Sequence, residues 1–388
     1  MDHACWNVDS ELGFLLHPQP LAQISDALAQ DQPVALEDIR AVEQLAANLS
    51  HLIETGQVRR EIDALPIIDY GGIRGTSDLC TSLIIERLQQ IYTYLANAYV
   101  YATGEEQSRV IPASVAVPLT QLSGWVERPP IMAYCNYTLG NWQKIDPAGE
   151  IVVENLRMKQ LFLDLPDEAW FARVHVEVEA KAGVAVRGLL DAIDAADRID
   201  LNELVDGLDM LHSGLHSMIL AFNKMSKGCD PDVYYRRIRP YLFGLNDIVY
   251  EGVDAFGGQP QSFRGASGAQ SAVVPALVAG LGVLHERSSL MQHLDVMRAY
   301  MPVPHRKFID KLNKSELRDF IKARGHGSAV AEVYNECLRE LMGFRKLHLH
   351  YASVFIFQRS QEPPLGTGGT DYMRWLPLLI DETERHLI

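Results

Sequence analysis

The sequence predicts an all-α protein, and three observations carry that prediction. Apolar residues recur at helical spacing through most of the chain, convincing period-2 runs are scarce, and Pro- and Gly-rich breaks separate the periodic segments. The composition, 47% hydrophobic and 22% charged, is that of a globular chain with apolar residues enough for a large core.

From the N-terminus, the first strong helix runs over 82–102, where Leu83, Ile84, Leu88, Ile91, Tyr92 and Leu95 form one stripe. Segments 167–195, 201–224, 289–300, 304–323 and 328–358 repeat the pattern. Asp200 marks a helix start, with Glu203 three residues on as the acid of a capping box. The apolar run 271–284 contains Pro275, Gly280 and Gly282 and reads as a buried core helix. Val115-Ala116-Val117-Pro118 is too short for a strand and carries a proline. Breaks at Pro18–Pro20, Gly71–Gly75, Pro129-Pro130, 146–149, 228–231, 257–260 and 361–370 punctuate the chain. With ~150 residues per domain as a guide, 388 residues divide into a small N-terminal helical domain, 1–150, and a large helical domain, 151–388.

Thirty-five basic and fifty acidic residues leave a net charge of −15, which argues against nucleic acid as the partner. A local basic pocket for a small anion is compatible with that balance. The five cysteines form no CxxC pair, so neither a zinc ribbon nor a disulfide framework is implied. The acidic N-terminus lacks the bases of a signal peptide, and no apolar run approaches the ~20 residues of a membrane helix. A cytoplasmic protein with no membrane partner is the expectation.

Thirteen histidines supply candidate ligands. His212 and His216 are spaced i, i+4, as two ligands of one zinc ion can be, but no HExxH glutamate or third ligand accompanies them. A polar seam on a packed helix is the plainer reading. His285-Glu286 does not complete HExxH either, and His305 sits at a helix start in a structural or surface role. On the C-terminal helix, His348 and His350 point ~200° apart, so only one can serve a given site. His348 shares its face with Leu341, Arg345, Ala352 and Phe355. An imidazole for iron, with a guanidinium one turn earlier for a propionate, is what a haem pocket needs, though a satisfied core histidine would look the same. The loop GTGGTD, 366–371, lacks the spacing of a dinucleotide fingerprint and reads as a linker or as a source of N–H groups for a small anion. FRGASGAQSA, 263–272, is a helix entry whose small residues also allow close approach to a flat ligand.

These pieces occur together, in order, in one family. Segments 129–147 (PPIMAYCNYTLGNWQKIDP), 170–180 (WFARVHVEVEA), 229–244 (CDPDVYYRRIRPYLFG), 249–253, 263–271, 297–308 (MRAYMPVPHRKF), 344–350 (FRKLHLH) and 366–373 (GTGGTDYM) resemble the indoleamine 2,3-dioxygenases, relatives of tryptophan 2,3-dioxygenase. PIIDYGGIRG, 66–75, extends the likeness weakly upstream. The resemblance implies an all-α fold with a small N-terminal and a large C-terminal domain, the latter holding haem b.

Carried over by residue, the resemblance makes His348 the proximal iron ligand and Arg345 the propionate partner. Phe171 would pack on the indole above the haem, with Tyr134 and Tyr234 lining the same pocket. Arg239 would bind the substrate carboxylate, Thr367 would close over the amino-acid end, and Ser267 and Gly268 would border the distal haem face. His175 stands where mammalian members have serine and is placed to accept the indole N–H or order a distal water. Phe171, His175 and Val178 share one helical face. Arg239 precedes Pro240, which disfavours continuing helix and suits an arginine at a helix end.

Tyr137 replaces a smaller residue, Val278 replaces an acid that supports the propionate arginine, and the segment before GTGGT is short, implying a brief lid. The implied reaction inserts both atoms of O₂ across the indole C2–C3 bond of L-tryptophan or a related indole, giving an N-formylkynurenine-type product. It needs an electron donor to keep the iron ferrous. The alternatives are a haem enzyme of the same fold acting on a modified tryptophan, as in pyrrolnitrin biosynthesis, and a non-catalytic haem-binding protein.

Overall fold

The computed structural model describes residues 8–17, 20–25, 27, 36–75, 79–286, 288–360, 365–369 and 371–388. Helices dominate it. In chain order they are α1 (Leu36–Ala47), α2 (Leu49–Glu54), α3 (Val58–Asp63), α4 (Leu79–Val100), α5 (Ala113–Trp125), α6 (Pro166–Arg198), α7 (Leu201–Phe222) and α8 (Met225–Gly228). They continue with α9 (Pro231–Val233), α10 (Val273–Gly280), α11 (Ser289–Arg298), α12 (Val303–Leu312), α13 (Leu317–Lys322), α14 (Ala329–Phe355) and α15 (Tyr372–Glu384). The expected single helix over 304–323 is two, α12 and α13, parted by a turn in which Ser315 Oγ accepts from the Leu317 N–H. The 271–284 run is helical only over α10. Val115–Val117 lies inside α5, where Pro118 is buried.

Five short strands are added to the helices. β1 (Val110–Ile111) runs parallel to β4 (Leu245–Tyr250), which pairs antiparallel with β5 (Gln261–Phe263). β2 (Trp142–Lys144) and β3 (Leu156–Met158) form an antiparallel pair with Trp142 opposite Met158. Sequence on the two sides of residue 150 is therefore tied together: Val110 is in register with Val249, and Asn97 of α4 donates to the Tyr241 carbonyl at 2.8 Å.

The scaffold of the site is the α6–α7 hairpin with α14 laid against α7. α6 begins with Pro166 in its first turn, where a missing N–H costs nothing, and acids at 167 and 168 suit the positive helix end. Glu168 turns back to accept the N–H groups of Phe162 and Leu163, each at 2.8 Å. The helix stops at Ile199, which takes left-handed geometry at φ +59°. Asp200 then caps α7 by accepting from Asn202 and Glu203 N–H groups, as its sequence position predicts. The Glu203 side chain pairs with Arg198.

Close approach of α6 and α7 depends on glycine. A Cβ on Gly188 would stand 2.4 Å from the Leu211 nitrogen, and one on Gly214 would stand 2.3 Å from the Ala185 nitrogen. Ala185 and Ala192 supply the matching small side of the seam.

Candidate active site

α6 and α14 bring two imidazoles, His175 and His348, to one aromatic ring. The Phe222 ring, from the end of α7, lies 5.9 Å from the His175 ring and 6.1 Å from that of His348. His175 Nδ1 donates to the Phe171 carbonyl at 2.8 Å, because a carbonyl can only accept. That bond fixes the tautomer and leaves Nε2 as an acceptor turned away from the helix backbone. Burial holds His175 below its ordinary value, against the opposing effect of the Phe171 bond, so the ring is neutral at pH 7. His348 is pushed down to about 4 by burial, and His175 adds to the effect. Its ring nitrogens have no hydrogen-bond partner among the described residues.

Aromatic rings enclose the His175 side. Phe171 lies 4.5 Å from His175 and stacks at 4.5 Å on Tyr234, which meets Phe355 of α14 at 5.7 Å. Tyr134 meets His175 edge-on at 6.0 Å. Both tyrosines stand at π-helical turns: Tyr134 leads into Cys135–Leu139, and Tyr234 opens Tyr234–Ile238. Such wide turns re-aim side chains and recur at functional sites. Tyr137, on the first of them, is buried behind Phe171 at 6.3 Å, with its hydroxyl unpaired. Burial pushes Tyr234 up to about 12 despite the nearby Arg239 guanidinium.

Arg239 sits where the second π-turn gives way to a 3-10 turn, Arg239–Leu242, with Pro240 just inside it. The helix end expected from Pro240 is thus a change of helix type. The guanidinium is 6% exposed and lies 4.8 Å from the Phe243 ring and 5.3 Å from that of Tyr235. Nη2 donates to the Leu365 carbonyl at 2.6 Å, while Nε is buried with no partner. A buried cation with an unused donor is suited to an anion.

Arg239 also borders a cavity of about 560 Å³, lined by Tyr101, Arg109, Phe263, Arg264 and the 365–369 loop among others. Phe171, His175 and His348 do not line it, so Arg239 stands between an inner aromatic space and an outer basic one. The two glycine-rich loops meet at this rim. The Thr367 hydroxyl donates to the Ala266 carbonyl, and a Cβ on Gly368 would lie 3.2 Å from Ser267 Cβ. Ser267 caps the 3-10 turn Gly268–Gln270 with a reciprocal capping box. Nothing lies within 4 Å of where a Gly268 Cβ would be, so this backbone faces open space. Pro363 and Pro364, within the expected lid, lie outside the described residues.

The His348 side answers the doubt raised by Val278. Arg345 is buried, and its Nη1 donates to the Leu379 carbonyl at 2.7 Å and to the Thr383 hydroxyl. Nη2 donates to His285 Nε2 at 3.2 Å, and His285 Nδ1 donates to Glu382 at 2.5 Å. Burial and the neighbouring guanidinium push His285 down to about 4, which keeps it neutral and able to accept from Arg345. The acid missing at 278 is replaced through an imidazole by one on α15. No local signal in the sequence joins His285, Glu382 and Thr383 to Arg345, because they lie 60, 37 and 38 residues away. Phe222 and Glu179 were likewise invisible, reading as ordinary helix positions.

The other histidines stay structural. His216 and His212 meet Glu340 of α14 at 3.2 and 3.6 Å, a polar seam between helices. No group of three or more metal-binding side chains occurs among the described residues. His305 is fully buried and edges onto Phe14 at 5.1 Å, which rules out the surface role. No helix is long and apolar enough to cross a membrane among the described residues.

The site's chemistry fits a haem. It offers a partly buried, neutral imidazole without a protein partner among the described residues, a buried guanidinium one turn before it, and a set of aromatic rings from Phe222 to Phe171 and Tyr234 beside it.

The family model described as "Indoleamine 2,3-dioxygenase" matches residues 2–364. Indoleamine 2,3-dioxygenase 1 of Mus musculus is 32% identical, across 98% of this chain and 95% of its own length. Indoleamine 2,3-dioxygenase 2 of Homo sapiens is 28% identical across 97% and 93%. An indoleamine 2,3-dioxygenase of Saccharomyces cerevisiae is 29% identical across 84% and 76%. The likeness covers both sides of residue 150 and every element that builds the site through α14.

Proposed function

This chain belongs to the indoleamine 2,3-dioxygenase family, and from that premise we propose how its own residues carry the reaction. It is a haem-dependent dioxygenase acting on tryptophan or a related indole, with O₂ as co-substrate and haem b as the form of the cofactor. His348 would hold the iron and Arg345 would pair with a propionate. Bound there, the haem iron supplies the activation of O₂ that an organic side chain cannot.

Every other task falls to the protein. The Phe171–Tyr234 stack receives the flat indole, and its apolar walls exclude water. Arg239, with Nε unsatisfied, takes the substrate carboxylate in a fork that fixes its orientation. His175 presents Nε2 as acceptor to the indole N–H. The 365–369 loop, pinned by Thr367 on Ala266, covers the amino-acid end, with Ser267 and Gly268 bordering the space where O₂ reacts. Holding indole and O₂ in register is the main contribution to rate. With haem bound, an external electron donor would be needed to keep the iron ferrous.

The observation that carries this reading is the pair of imidazoles that share the Phe222 ring, one roofed by aromatic rings beside a buried, unsatisfied arginine. The test is a turnover of the reduced haem-loaded protein with L-tryptophan and ¹⁸O₂. N-formylkynurenine carrying two labelled oxygens supports the reading. Absence of that product, or a rearranged product without both labels, overturns it.

A further inference from the structure

Behind the pocket lies an acid with no task in the reaction as described. Glu179 stands one turn after His175 on α6 and is 1% exposed. Its Oε1 accepts two hydroxyls, Tyr134 at 2.9 Å and Ser271 at 2.7 Å. Its Oε2 is buried and has no partner. No lysine, arginine or histidine pairs with it among the described residues. A buried carboxylate without a counter-charge is costly, and the usual relief is a proton. Here Oε2 is the oxygen free to carry it, since Oε1 can still accept both hydroxyls, though more weakly, as the carbonyl oxygen of the neutral acid.

The partners of Glu179 are the pocket itself. Tyr134 presents its ring edge to His175 and donates its backbone N–H to Gln270 at 2.8 Å. Gln270 in turn donates to the Gly265 carbonyl at 2.9 Å. Ser271 ends the loop that carries Ser267 and Gly268. One carboxyl thus ties α6 to the wall and the rim of the indole chamber.

We propose that Glu179 is a positioning residue of the substrate pocket, holding Tyr134 and Ser271 from behind, and that proton uptake there is coupled to ligand binding in the pocket. The inference rests on the reading of this chamber as an indole site. Filling the chamber with an apolar ring lowers the polarity beside Tyr134 and so favours the neutral form of the carboxyl behind it. By linkage, affinity then falls as pH rises through the acid's titration. Burial raises Glu179 to about 7, so the effect falls near neutrality. The groups facing it are Tyr134, Ser271 and, one turn back, His175. Tyr134 is held far above its usual range by burial, and His175 is already neutral, so neither titrates over the same interval.

The experiment is a pH series on the haem-loaded protein, with the Kd for L-tryptophan read from the change in the Soret band, and the carboxylic C=O stretch followed by infrared. We expect Kd to rise about fivefold between pH ~6 and ~8, the consequence of a one-unit change in the acid's pKa on binding. The infrared band should vanish over the same range. Glu179→Gln keeps the acceptor oxygen and should bind haem normally, lose the infrared band and show a flat Kd. Tyr134→Phe and Ser271→Ala each remove one donor to the carboxylate and should move the midpoint to higher pH, which a purely structural tie would not do. A flat wild-type profile, or a Glu179→Gln variant that keeps the inflection, overturns the role of Glu179. A chamber that takes up no L-tryptophan at any pH, while the infrared band still titrates, removes the indole reading and this inference with it.

Discussion

Arg239 and His175 divide the recognition of substrate between its two ends, and each can be tested alone. Arg239→Ala removes charge-assisted hydrogen bonds to a carboxylate, a loss of about 2–4 kcal/mol, or roughly 30- to 1000-fold in kcat/KM. The Soret spectrum should be unchanged, because Arg239 lies on the substrate side. Steady-state kinetics of the haem-loaded variant check this. His175 contributes a single neutral hydrogen bond of about 1 kcal/mol. Wild-type protein should therefore favour L-tryptophan over its 1-methyl analogue several-fold, and His175→Ala should abolish the preference while leaving the analogue's own kcat/KM little changed. An undiminished preference in the variant would show that Nε2 does not meet the indole N–H.

Two pairs of elements hold the site, and they fail differently. The α6–α7 seam has no room for a methyl group at Gly214, so Gly214→Ala should lower stability by about 1–3 kcal/mol in chemical denaturation. Gly124, in α5, has nothing within 4 Å of its missing Cβ, and Gly124→Ala should be neutral or stabilising by about 1 kcal/mol. The α14–α15 clamp instead governs the cofactor. Glu382→Ala unties His285 from behind Arg345 and should speed haem loss to an apo-globin acceptor by about tenfold, with little change in helix content. Much of this architecture was legible in the sequence, because periodicity and caps are local: α4, α6, α7 and α14 fall where the stripes lie, and Asp200 caps as expected. The π-turns at Tyr134 and Tyr234 were not, since a five-residue helical turn has no composition of its own. The His285–Glu382 support was not either, because it depends on α15 packing back across α14. The inner pocket residues could be named through the family resemblance. From spacing alone, His348 was indistinguishable from a core histidine.

For the molecule as a whole, burial sets opposing pH dependences. Glu168 and Glu179 are raised to about 7, so the stability they give below about 4.5 is lost as pH rises through 7. His17, His175, His285, His293 and His348 are held below 6.5, so the stability they give above that value is lost as pH falls. The two sets act in opposite directions over the same interval, so they partly offset each other between pH ~5 and ~7, and neither changes the stability of the haem-free protein much above pH ~8. Denaturant midpoints across pH ~5 to ~8 check this, and a steep loss of stability continuing above pH ~8 would contradict it. The acids' share is isolated by Glu168→Gln, whose stability relative to wild type should improve by an amount on the order of 1–3 kcal/mol between pH ~5 and ~8. A single coordinate bond, from His348, would hold the cofactor. The most direct measurement is a haem titration of the purified wild type and His348→Ala side by side, followed by reduction and carbon monoxide. The account predicts stoichiometric binding and a histidine-ligated Soret band in the wild type, and loss of that band with retained helix content in the variant. An unaltered Soret band in His348→Ala would contradict it.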